Sequence, residues 1–252
     1  MKMDKKVRNL VFTSVLAALV IVLQVVITVT VSSFPITFAL IPIVIGAVVL
    51  GPLPGTVLGL VFGIVVSILS LTGKDPGGQM VFAANPFLAW ALCLLKGAAA
   101  GFVPAMLYKL FRKHEYALSI TYVFTGIFLF LGGIGVTRLI RGKSTAAGII
   151  LVVVFSLLAG GLMFAMNKLL TSDNAACYIA SVAAPICNTG VFIIGMLLFF
   201  RPLLNAWAGG SNTFVYVLTG LCGVNFLLEL TTSILATPVV VAVSHYSSKR
   251  NI

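Results

Sequence analysis

Long apolar stretches, separated by prolines, glycines and short basic clusters, run the length of the chain, and their spacing predicts eight helices. Their approximate limits are 10–31, 36–51, 54–71, 82–111, 116–137, 146–168, 176–200 and 213–245. A helix rises about 1.5 Å per residue, so about 20 apolar residues cross the hydrocarbon layer of a bilayer. The stretch 36–51 is short and contains Pro42, which predicts a helix that is kinked, tilted or not fully spanning. Stretch 10–31 follows a basic cluster, as a signal peptide does. It is longer than the usual apolar region of one and lacks a small-residue cleavage site, so it is expected to be a retained first span. The pattern leaves no polar stretch for a separate soluble domain and predicts one membrane-embedded domain over 1–252.

Composition agrees: of 252 residues 60% are hydrophobic and 8% charged, with a mean hydropathy of +1.18, whereas a soluble domain is about 25% charged. The expectation is an all-α integral membrane protein. The net charge of +11 would suggest nucleic acid in a soluble chain. Here the basic residues cluster at the ends of apolar stretches, which is an orientation signal in a lipid bilayer and points to no nucleic-acid partner. Lys2, Lys5, Lys6, Arg8, Lys109, Arg112, Lys113, Lys168, Lys249 and Arg250 fall on one side of an eight-span arrangement, and Lys74, Arg138, Arg141, Lys143 and Arg201 on the other. The bias predicts that both termini are cytoplasmic, with the basic run Arg138–Ser144 as the exception. That run ends in Gly142-Lys143-Ser144, but Thr137 stands where a phosphate-binding loop needs glycine, so no ATP site is expected in this chain.

Hydrophilic side chains at membrane depth are few. Asn85, Trp90 and Lys96 fall on the fourth stretch, Asn188 and Thr189 on the seventh, and Asn225, Glu229 and Thr232 at helical spacing on the eighth, with Gln24 on the first. Lys96 and Glu229 each lie about 20 to 24 Å from the basic ends of their helices, so they can neutralise one another. The pair could be a structural staple. Alternatively, with Asn85, Trp90, Asn188, Thr189 and Asn225, it could line a cavity that binds a small hydrophilic molecule. Cys93, Cys177, Cys187 and Cys222 lie in apolar stretches with no paired spacing, and they predict neither a metal site nor a cofactor.

Small residues mark two close-packing faces. Gly55, Gly59 and Gly63 strip side chains from one face of the third stretch, for a neighbouring helix or a partner subunit. Thr13 with Ala17, and Ser14 with Ala18, repeat that spacing on the first.

The segments FPITFALIPIVIGAVVLGPLPGTVLGLVFG, NPFLAWALCLLKGAAAG, APICNTGVFIIGMLLFF and NFLLEL resemble the substrate-binding S component of energy-coupling factor (ECF) vitamin transporters of bacteria. The resemblance covers residues 9–113 and about 172–248 and leaves out the middle. It implies a six-helix bundle, with residues 114–171 as an inserted transmembrane hairpin that raises the total to about eight transmembrane helices. It also implies a high-affinity binding subunit in the bacterial cytoplasmic membrane, with a pocket that faces outward. That subunit would capture a small-molecule vitamin for an ECF transmembrane scaffold subunit carrying two ATPase subunits. Docking in the family uses an alanine-type small-residue motif on the first helix, matched here by Thr13, Ser14, Ala17 and Ala18, with serine in place of one alanine. Lys96 favours a carboxylate vitamin of the pantothenate type, with riboflavin next.

Two other classes compete with this reading. A stand-alone secondary transporter would let Lys96 and Glu229 exchange partners with a proton or ion. A membrane enzyme needs a nucleophile with its base or a carboxylate cluster. The chain has five acidic residues and two histidines, His114 and His245, both at helix ends, so no enzyme is expected.

Overall fold

The computed structural model describes residues 5–26, 29–30, 35–114, 116–123, 126, 171–210, 212–217 and 223–249. Helix α1 (Lys5–Val26) leads into a short antiparallel ribbon, β1 (Val29–Thr30) with β2 (Pro35–Ile36), in which Val29 faces Ile36. Then come α2 (Leu40–Leu50), α3 (Pro52–Leu71), α4 (Pro76–Ala84), α5 (Pro86–Phe111), α6 (Ser172–Phe199), α7 (Arg201–Ala208), α8 (Thr213–Tyr216) and α9 (Gly223–Lys249). Among the described residues, five helices are long and apolar enough to cross a membrane: α1, α3, α5, α6 and, from Leu228, α9. The chain is an all-α, multi-pass membrane protein.

Local chemistry explains the boundaries. Gly51 has φ 99°, a left-handed conformation that turns α2 into α3, and Pro52 then opens α3 at a position that needs no backbone donor. The sequence predicts a single helix over 82–111, but the structure breaks it at Asn85. This residue is extended, ends α4, and accepts a hydrogen bond from Leu88 N at 3.1 Å, while Pro86 begins α5. A proline preceded by a side chain that can cap favours a new helix start over continuation. Asp75 caps α4 in the same way, accepting from Gly78 N at 3.0 Å and from the Ser70 hydroxyl at 2.9 Å. Of the stretch expected at 213–245, Thr213–Tyr216 (α8) and the residues from Gly223 (α9) are helical, and residues 218–222 lie outside the described residues. The second helix starts at Leu40 rather than at 36, because Pro35 and Ile36 pair in the ribbon.

The chain divides into two compact units, Met1–Lys109 with Cys177–Ile252, and Leu110–Ala176. In the smaller, residues 116–123 are helical and Tyr116 stacks on His114 at 4.7 Å. The hairpin expected at 114–171, with the helices at 116–137 and 146–168 and the basic run Arg138–Ser144, falls mostly outside the described residues.

In the larger unit α1 packs on α2 and α3, and α2 packs on α3 and α9. The core includes Leu16, Val20, Leu40, Ile43, Leu58 and Phe62 from α1 to α3, with Leu92 of α5 and Met196 of α6. The outward face of α1 stays apolar and uncovered, with Leu10 68% and Val26 72% exposed, as a lipid-facing helix requires.

The glycine stripe of α3 packs within the chain. A Cβ on Gly55 would lie 2.6 Å from the carbonyl oxygen of Gly101, and one on Gly63 2.5 Å from that of Cys93. One on Gly59 would come closer still to the carbonyl of Gly97, and the reverse holds for Gly97 and Gly101. Two antiparallel backbones thus touch along α3 and α5. Lipid offers no hydrophobic drive to hold helices together, so such close backbone packing supplies the contact.

Candidate functional site

Four segments converge on one carboxylate. Glu229, in the second turn of α9 and 6% exposed, accepts from the backbone N–H of Thr37 at 3.4 Å and from Asn188 Nδ2 at 3.5 Å. Thr37 lies in the turn between β2 and α2. Its hydroxyl donates to Gln24 Oε1 near the end of α1 and accepts from Ala39 N, which opens α2. The Thr189 hydroxyl is a further polar neighbour of the carboxyl group. Gln24, Thr37, Asn188 and Glu229 are all buried.

Both bonds to Glu229 are long against the usual ~2.9 to 3.0 Å, and a carboxylate offers about four lone-pair positions. The described residues therefore leave acceptor capacity unused at the centre of the cluster. Among them, Asn188 Oδ1, the other end of the amide that donates to Glu229, is buried without a hydrogen-bond partner.

Lys96 stands beside this group without joining it. Its ammonium lies 5.1 Å from the ring centre of Phe192 on α6 and 5.9 Å from that of Phe62 on α3. Among the described residues it forms no ion pair within 4.0 Å, but it acts on Glu229 through space. The direct pairing of Lys96 with Glu229 expected from their equal depth is thus replaced by a looser arrangement. Two aromatic faces hold the cation, worth about 0.5–2 kcal/mol together at these distances, with the carboxylate as a more distant counter-charge. Ring faces stabilise an ammonium while leaving its three N–H donors available.

The other predicted site residues divide. Asn85 caps α5 with its side chain. Trp90 meets Phe82 edge to face at 6.0 Å and packs on the rim of the core. Asn225 lies in the first turn of α9, and its side chain falls outside the described residues. Thr232 returns its hydroxyl to the Glu229 carbonyl at 2.9 Å. On α1, Thr13 donates to Asn9 O at 2.8 Å and Ser14 to Leu10 O at 2.9 Å, so both hydroxyls are satisfied within their own helix. Ser14 and Ala18 face outward, while Thr13 and Ala17 are half-buried. The stripe is small and carries no unmet polar group.

Sequence reasoning missed Thr37, whose backbone and side chain together join α1, α2 and α9. One faint signal existed, a polar residue placed directly after Pro35-Ile36, where an apolar helix was expected to be under way.

Compared with protein-family models and with curated proteins, the chain matches none.

Proposed function

We propose that this protein is the substrate-capturing membrane subunit of an ATP-driven uptake system, of the S-component type that its segments resemble. It would bind a water-soluble vitamin or related micronutrient of the pantothenate or riboflavin kind. The observation that carries this reading is the convergence of Glu229, Asn188, Thr189 and Thr37, with Lys96 nearby, in an otherwise apolar bundle. Polar groups at membrane depth are costly, so a cluster with spare hydrogen-bonding capacity favours ligand binding over a purely structural staple.

In this reading α1, α2, α3, α5, α6 and α9 form the six-helix bundle, with both termini in the cytoplasm of a bacterium. The outward stripe of Ser14 and Ala18 on α1 would meet an ECF scaffold that carries two ATPase subunits. Small side chains there allow a partner helix to approach closely.

Reconstitution tests both halves. Proteoliposomes holding this chain alone should bind labelled pantothenate or riboflavin without accumulating it, and accumulation should require the scaffold, the ATPases and ATP. Ala18→Leu should abolish accumulation and spare binding. Accumulation by the chain alone would replace this reading with the stand-alone secondary transporter, and failure to bind any small solute would remove both.

A further inference from the structure

The amide of Asn188 is oriented by its neighbour. Its Nδ2 donates to Glu229 Oε2 at 3.5 Å, and turning the group over would set two acceptors against each other. Oδ1 is therefore the free atom, and it is buried in a residue 6% exposed with no partner. Native proteins retain few such atoms, because a desolvated acceptor without a donor weakens the fold.

Two further features point the same way. The two hydrogen bonds that Glu229 accepts from Thr37 N and Asn188 Nδ2 are both long, at 3.4 and 3.5 Å, which leaves room in its acceptor positions for a further donor. Phe192 lies one helical turn along α6 from Asn188, which sets their Cβ atoms about 5–6 Å apart on one face, and the Lys96 ammonium lies 5.1 Å from the centre of the Phe192 ring. The site thus offers two acceptors together, with a cationic donor held on the ring of the next turn.

We infer that the solute bound here is an amido- or hydroxy-carboxylate. Its N–H or O–H group donates to Asn188 Oδ1 and Glu229, and its carboxylate meets the Lys96 ammonium. This rests on the binding-subunit reading and narrows it. A neutral solute would leave the ammonium without an acceptor. A solute without a donor would leave Oδ1 unsatisfied beside a carboxylate.

The test uses the solute that stays with the purified full-length protein through chromatography, identified by mass spectrometry. It should carry a carboxylate and at least one N–H or O–H donor. The Asn188→Leu protein should hold it at least tenfold more weakly. Its thermal midpoint in the absence of solute should fall only modestly, since leucine gives up the long bond to Glu229 but also removes the unsatisfied acceptor. Methylation of the donor should weaken binding about tenfold in the wild type and add little to the loss in Asn188→Leu. A retained solute that lacks either group overturns the inference, whether or not the variant folds. So does equal retention by a folded Asn188→Leu protein, which would assign the atom to a buried water. Both outcomes leave the binding function standing. If the wild type retains no solute and binds neither labelled pantothenate nor riboflavin, the binding-subunit reading itself fails, and this inference falls with it.

Discussion

The seam between α3 and α5 and the junction around Glu229 are built on opposite principles. Along the seam, Gly55, Gly59 and Gly63 meet Gly101, Gly97 and Cys93 backbone to backbone, and no hydrogen bond between side chains is needed. At the junction, side chains from α1, the turn after β2, α6 and α9 meet through hydrogen bonds, some long and one atom left over. One region is packed to the limit of steric contact, and the other keeps hydrogen-bonding capacity in reserve. Tight packing gives rigidity, whereas spare capacity is what a binding site requires, so the contrast separates scaffold from site.

The largest effect is expected at the seam. Gly59→Leu drives a side chain into the Gly97 carbonyl, where only the backbone can yield. The protein should fail to fold, read as loss of the monodisperse peak on size exclusion in detergent. Gly59→Ala should cost at least about 2 kcal/mol. Gly190, on α6, has nothing within 4 Å of its would-be Cβ, and Gly190→Ala should be neutral or slightly stabilising. Equal behaviour of the two alanine variants would end the distinction between the regions.

Next comes Glu229→Ala. It leaves Thr37 N and Asn188 Nδ2 without their acceptor, each worth about 1–3 kcal/mol when buried. A total near 2–4 kcal/mol is expected by chemical unfolding in detergent, together with loss of solute binding. A destabilisation too small to measure would mean that the junction is wet and open, with water in place of the carboxylate.

The two regions also differ in how far the sequence announces them. The seam is legible because Gly55, Gly59 and Gly63 recur at a fixed helical interval within one segment, so a single local pattern reports a face stripped of side chains. Its matching half, Gly97 and Gly101, carries the same interval directly after Lys96, but only two glycines long. The apolar stretches foretell an all-α membrane protein for the same reason, since each span is written in consecutive residues. The junction is legible only as a set of suspects. Asn188 and Glu229 stood out as polar groups in apolar stretches, but their meeting depends on long-range packing, which no local interval encodes. Asn85 shows the converse: its place on the fourth apolar stretch suggested a cavity-lining side chain, while Pro86 makes it a cap.

Lys96→Met should have an intermediate effect, because the ammonium is shared between two rings and a distant carboxylate. Removing the cation gives up about 0.5–2 kcal/mol of ring contact and leaves Glu229 without a counter-charge. A loss of about 1–2 kcal/mol is expected, with solute binding falling further than stability. Lys96→Met combined with Glu229→Gln should recover folding without recovering uptake. Full recovery of uptake would show that the charges serve only the fold.

The smallest effect is expected from Thr37→Val, and it is the most discriminating. Valine keeps the shape and the backbone N–H that reaches Glu229, and deletes only the hydroxyl that links Gln24 to Ala39 N. Ala39 N lies at the start of α2, where a lost side-chain acceptor typically costs about 1 kcal/mol. If the junction is a site resting on an independent scaffold, this variant should lose about that much stability and keep its solute within a few-fold. A loss as large as that from Glu229→Ala would mean that the hydroxyl and the carboxylate belong to one cooperative folding unit. The junction would then be part of what holds α1, α2 and α9 together.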